Sequence, residues 1–158
     1  MVAKISALLA VSLLAGTGCS PKTRIEVPEG WQVRRTVETK DGGNSTVLAP
    51  SNGVSAWVIV VCGPLGQNSP RQEYLNVMRS LEDEGAQIHA TLTDPDFSHL
   101  EIFFGIETEE GSMRGKVLIK LDSAGHDHLL NVQGIWPAAL DDVFTPIFDA
   151  VAASADFR

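Results

Sequence analysis

Ala56-Trp57-Val58-Ile59-Val60-Val61-Cys62 is apolar at every position. A strand sends successive side chains to opposite faces, so a strand that is apolar throughout must be covered on both sides. Turn-forming clusters bracket the run: Ser51-Asn52-Gly53 before it and Gly63-Pro64-Leu65-Gly66 after it. They hold it to strand length rather than helix length. The chain must therefore build a sheet with further structure packed on it, this run lying centrally.

The rest of the sequence supplies those layers. Trp31 to Lys40 alternates Gln32, Arg34 and Thr36 with Val33 and Val37, and reads as a strand. Asp41-Gly42-Gly43-Asn44 turns it into a second, about Ser45 to Ala49. After the apolar run, Ser69 is placed to cap a helix, Pro70 suits its first position, and Gln72 completes a capping box. Tyr74, Val77, Met78 and Leu81 then share one helical face as core, and Gly85 stops the helix. Three strands follow, about Ala86–Thr93, Leu100–Thr108 and Met113–Asp122, joined by turns at Asp94-Pro95-Asp96 and Glu109-Glu110-Gly111-Ser112. Val117, Ile119 and Leu121 alternate with Lys116 and Lys120, which the pattern assigns to a wet face. Leu129 to Trp136 is a further strand. Pro137 to Val143 begins a helical end, which Thr145 and Pro146 are expected to restart as cap and first position. Ile147, Phe148, Val151 and Ala152 form its buried side. The class is α+β, with helices packed on an antiparallel sheet.

The N-terminus carries a different signal. Lys4 precedes an apolar stretch, Ile5 to Ala15, and then Gly16-Thr17-Gly18-Cys19-Ser20. Basic start, apolar stretch and small residues are the parts of a signal peptide, and the stretch is shorter than the roughly 20 residues a bilayer span needs. Small residues directly before a cysteine resemble the bacterial lipobox, although Gly16 stands where that motif usually has a large aliphatic residue. The resemblance implies that residues 1–18 are a lipoprotein signal peptide, that Cys19 is lipidated, and that residues 19–26 are the lipidated cysteine and a short tether. A single domain then spans residues 27–158. Ser20, rather than an aspartate, resembles the outer-membrane sorting signal of bacteria with two membranes. The expected location is the cell envelope, facing the periplasm in such a source.

Charge excludes one class of partner. The 158-residue chain has 12 basic and 20 acidic residues, a net charge of −8. Loss of Lys4 with the signal makes that −9. Nucleic-acid phosphates need a basic footprint, and this chain lacks one. Acylation of Cys19 would preclude a disulfide with Cys62, the other cysteine. Cys62 ends the apolar run and reads as a buried small hydrophobe.

Pro28-Glu29-Gly30-Trp31 at the first strand, the helix after an apolar strand, and the ending Trp136-Pro137, Phe144-Thr145-Pro146-Ile147-Phe148-Asp149-Ala150-Val151 and Ser154-Ala155-Asp156-Phe157 resemble the PsbP-like family. The resemblance spans about Val27–Phe157. It implies an α/β/α sandwich and a binding or accessory module rather than an enzyme. The positions that carry it, Gly30, Trp31 and Phe157, are a turn and core side chains, so no functional residue transfers with it.

Candidate chemistry is sparse. His126-Asp127-His128 could offer two imidazoles to one metal ion, since residues two apart on a strand share a face. A third ligand would have to come from His89 or His99. Asp94 and Asp96 flank Pro95 as turn residues, and Glu107, Glu109 and Glu110 form a solvated charge run. Nucleophile-elbow, phosphate-loop and dinucleotide motifs are absent from the sequence. The expectation is a lipid-anchored envelope protein with a protein partner, no cofactor and no enzymatic activity. The alternative is a small-molecule or metal-binding envelope protein using the His126/His128 turn.

Overall fold

A computed structural model describes residues 25–38, 43–122 and 128–155. Cys19, the signal stretch, Asp41-Gly42, His126, Asp127 and Phe157 lie outside the described residues. Seven strands and two main helices follow in the order β1 (Trp31–Glu38), β2 (Asn44–Pro50), β3 (Trp57–Pro64), α1 (Pro70–Asp83), β4 (Gln87–Thr93), β5 (His99–Thr108), β6 (Gly111–Leu121), β7 (His128–Pro137) and α2 (Asp141–Ser154). A single turn of 3-10 helix, Ala138–Leu140, leads into α2.

The strands form one sheet in the order β1-β2-β3-β7-β6-β5-β4. Every neighbouring pair is antiparallel. After β3 the chain crosses by way of α1 to the far edge, then returns through β4, β5 and β6 until β7 pairs with β3. The register Trp57↔Ile135 to Pro64↔His128 closes the sheet through its middle. The expectation of α+β architecture is met, and the apolar β3 lies in the sheet interior.

Alternation along β3 shows why it is apolar throughout. Val58, Val60 and Cys62 belong to a core with Phe144, Phe148, Val151 and Ala152 of α2. Trp57, and by alternation Ile59 and Val61, face the other side, where Val77 and Leu81 of α1 meet Leu100, Ile102, Phe104, Val117 and Ile119. The helices thus cover opposite faces. Fully burying side chains of this size stabilises the fold by roughly 1.5–3 kcal/mol each.

α1 begins as its sequence predicts. Ser69 caps it, its Oγ accepting from the Gln72 backbone N–H at 3.1 Å, with Pro70 at the start. The reciprocal half of the capping box does not form, because the Gln72 side chain donates along the helix to Asn76 Oδ1 at 3.0 Å. At the other end Gly85 adopts φ +83°. Its N–H reaches the Glu82 carbonyl, and that of Ala86 reaches the Leu81 carbonyl, a Schellman stop.

Two further expectations are corrected. The C-terminal helix does not restart at Thr145-Pro146: α2 is continuous from Asp141, and Pro146 lies inside it. One Asp141 oxygen holds the first turn together, accepting from Trp136 Nε1 at 2.7 Å and from Thr145 Oγ1 at 3.0 Å. The helix therefore starts before the proline, which costs it one backbone hydrogen bond. The second correction is Lys116, which is not on a wet face but buried, with 7 % of its surface exposed.

Candidate partner-binding face

Among the described residues α2 packs chiefly on β7 and β6, and toward β4 the same side of the sheet is exposed at Ala90 and Leu92. The even-numbered residues of β6, Arg114, Lys116, Leu118 and Lys120, point to this side, as do their partners on β5. The register places Gly105 opposite Arg114, Phe103 opposite Lys116 and His99 opposite Lys120. Ala90 and Leu92 of β4 pair with Phe103 and Glu101 and continue the same side outward.

Lys116 sits where the covered half meets the open half. Its Nζ lies 2.7 Å from Asp149 Oδ1 of α2 and 2.9 Å from Glu101 Oε2 of β5. It also lies over the Phe103 and Phe148 rings, 4.7 and 5.6 Å from their centres. Glu101 Oε1 in turn is 3.0 Å from His99 Nε2. Burial works against the Lys116 ammonium, but Asp149 and Glu101 outweigh it and hold the pKa above its ordinary value. Burial likewise opposes ionisation of Glu101, yet Lys116 and His99 prevail and hold its carboxyl below the usual range. Near neutral pH the pair is an ammonium facing a carboxylate, so neither group is poised to move a proton. The network positions α2 and polarises the face; it does not make a catalytic dyad.

Beyond it lies a small apolar shelf. Phe103 is half-buried, while Ala90 and Leu92 are exposed, Leu92 by 58 %. Beside the shelf Arg114 Nη1 contacts His89 Nε2. Gly105 makes room for them: a Cβ there would stand 2.7 Å from the imidazole and 3.1 Å from the guanidinium.

The residues singled out in the sequence are scattered. His128 pairs with Asp122 (Nδ1 to Oδ2 3.1 Å) across the β6–β7 hairpin, while His99 begins β5, with β6 between them. His89 is on the edge strand with Arg114. Among the described residues no three His, Cys, Asp or Glu side chains come together as a metal site. Asp94 and Asp96 make a turn, accepting from Ser98 Oγ at 3.3 Å and from the Ser98 backbone N–H at 3.0 Å. Glu107 and Glu110 are exposed but engaged, accepting from Ser112 Oγ (2.7 and 2.8 Å) and from Ser55 Oγ (2.8 Å). Cys62 is wholly buried in the α2-side core.

Sequence reasoning missed three buried polar positions. Glu73, in the first turn of α1, is buried with Asn68 Nδ2 3.2 Å from its Oε2. Desolvation pushes its carboxyl up, and the Asn68 hydrogen bond only partly offsets this. Asn131 and Gln133 of β7 share the parity of Leu129 and Ile135 and so face the α1 side. Both Asn131 amide atoms and Gln133 Oε1 are buried without a hydrogen-bond partner among the described residues.

No family model matches the sequence, and no curated protein matches it either. Solved structures do. The cyanobacterial PsbP (CyanoP) of Synechocystis superposes with a TM-score of 0.59 at 13 % identity, over 94 % of this chain and 99 % of that one. The Ran-binding protein Mog1p of Saccharomyces cerevisiae gives 0.58 at 10 % identity, over 85 % and 89 %. At such identities the likeness concerns architecture: the seven-stranded antiparallel sheet with its helices is the fold that CyanoP and Mog1p share.

Proposed function

We propose that this chain is a non-enzymatic binding or accessory module for a protein partner, held on a cell-envelope membrane by a lipid on Cys19. The observation that carries the binding role is the fold, which is also that of a protein described as Ran-binding. The charge network supports it, because its ionised and mutually paired groups shape a surface rather than a reaction centre. The Gly16-Thr17-Gly18-Cys19 motif behind an apolar stretch supports the anchor. Several acyl chains, at roughly 0.8 kcal/mol per buried methylene, hold a protein far more firmly than one. In a source with two membranes, Ser20 favours the outer one, with the domain in the periplasm.

Intact mass and membrane partitioning of the native protein beside Cys19→Ala test the anchor. Diacylglycerol on Cys19, with release of the variant to the soluble fraction, is the expected result. An unmodified chain in both refutes it. A pull-down from detergent-solubilised envelopes tests the binding role, and repeated recovery of nothing above background counts against it.

A further inference from the structure

The two edges of the sheet differ. β1 carries Arg34, Arg35 and Glu38 within its span, and charges on an edge discourage another strand from pairing. β4, Gln87–Thr93, contains no Lys, Arg, Asp, Glu or Pro. All its residues but Ile88 are exposed, and among the described residues its strand neighbour is β5 alone. One row of its backbone N–H and C=O groups therefore faces outward. A bulge between Ile88 and Ala90 leaves Ala90–Thr93 as the regular part of this edge. Charge is concentrated just past both ends: Glu82, Asp83 and Glu84 before the strand, Asp94 and Asp96 after it, all exposed. A strand of this length, at ~3.4 Å per residue, sets the two acidic ends roughly 25 Å apart.

A second copy of this chain fits such an edge poorly. Two β4 strands pairing antiparallel about a two-fold axis would bring Glu82–Glu84 of each copy onto Asp94 and Asp96 of the other. Like charges would then meet at both ends of the pair. The complementary strand is neutral in the middle and basic at its flanks.

We propose that β4 takes up, by strand addition, an extended segment of a partner protein with a neutral, β-branched centre and Lys or Arg on each flank. The inference rests on the binding-module reading and deepens it. Backbone hydrogen bonds supply affinity, and alternate side chains of the incoming strand extend the Ala90, Leu92 and Phe103 shelf. The flanking cations meet the acidic ends and set orientation and on-rate.

The test titrates the isotope-labelled full chain in detergent with the peptide KKTVTVTVTKK, its acid-flanked counterpart EETVTVTVTEE, and a form of the first N-methylated at every residue between its flanking lysines, which blocks both hydrogen-bonding edges. Amide signals of residues 87–93 should move with the basic peptide, bind the acidic one on the order of tenfold more weakly, and ignore the N-methylated one. The variant Asp83→Lys/Glu84→Lys places cations at the last turn of α1, where the helix dipole favours them, so its fold is retained. It should lose several-fold affinity for the basic peptide. Signals moving only on β1, no movement at all, or equal binding of both charged peptides overturns the inference. So does a concentration-dependent shift of residues 87–93 without peptide, which assigns the edge to a second copy. The envelope pull-down separates two failures. A partner recovered equally by the native chain and by Asp83→Lys/Glu84→Lys overturns strand addition alone. No partner with either overturns the binding-module reading and this inference with it.

Discussion

Lys116 governs the α2 side of the sheet, because a buried ammonium keeps its charge only while carboxylates face it. Removing one partner of a fully buried pair costs about 3–5 kcal/mol. Here the Asp149 side chain is 51 % and that of Glu101 20 % exposed, so water takes over part of the loss. Lys116→Met should therefore lower unfolding stability by about 1–3 kcal/mol, read from the denaturant midpoint. An unchanged midpoint would mean that the network is ornamental to the fold. The two perturbed carboxylates should respond to pH with opposite signs. Glu101 has a folded pKa below its ordinary 4.5, so its stabilisation is present above that pH and fades as pH falls through the lower folded value. The stability gap between the native chain and Glu101→Gln should close on acidification below 4.5. Glu73 has a folded pKa above 4.5, so the native chain pays for ionising a buried carboxyl as pH rises through the raised value. Glu73→Gln should thus gain stability relative to the native chain at pH 7 and lose that advantage at pH 4. A gap that does not vary with pH would show that Glu73 feels no burial penalty.

At the scale of elements, α2 is seated by a glycine. A Cβ on Gly134 would lie 2.6 Å from Phe148 Cδ2 and 2.9 Å from Trp136 Cζ3. Both rings are buried, Phe148 completely. Gly134→Ala must push the helix outward, and overpacking of this kind costs about 1–3 kcal/mol. Thermal unfolding of the variant measures it, and a neutral result would show that α2 can shift without loss. Local pattern made much of this architecture legible. Alternation gave the strands, and the Ser69 cap and the Gly85 stop framed α1. What it could not show depends on contacts distant in sequence. Lys116 reads as a wet-face residue because its partner Asp149 is 33 positions away on α2. Thr145-Pro146 imitates a helix start, and only the meeting of Asp141 with Trp136 shows that the helix has already begun. The apolar shelf depends on how far α2 reaches across the sheet, which no local pattern records. The unpartnered amides of Asn131 and Gln133 stand in a strand that otherwise reads as plain core.

For the molecule as a whole, the anchor proposed at Cys19 should be separable from the fold. Among the described residues both hydrophobic cores run from Ile25 to Ala155. Ile25 packs on the α2-side core, and the Glu26 backbone N–H donates to Ser154 Oγ at 3.0 Å, tying the start of the domain to the end of α2. A chain shortened by residues 1–24 retains every one of these contacts. Its thermal midpoint should stay within about 3 °C of the full chain, the shift that roughly 1 kcal/mol produces in a domain of this size. Removing Ile25 and Glu26 as well should cost more. The lost side chain is half-buried, so the apolar part falls below the roughly 1.5–3 kcal/mol of full burial, and the lost hydrogen bond adds about 1 kcal/mol. Calorimetry on the two shortened chains therefore locates the boundary. A large drop already at the first truncation would make the N-terminal segment part of the folded domain. No drop at the second would place the start of the folded domain at Val27, as the sequence reading of a tether over residues 19–26 expects.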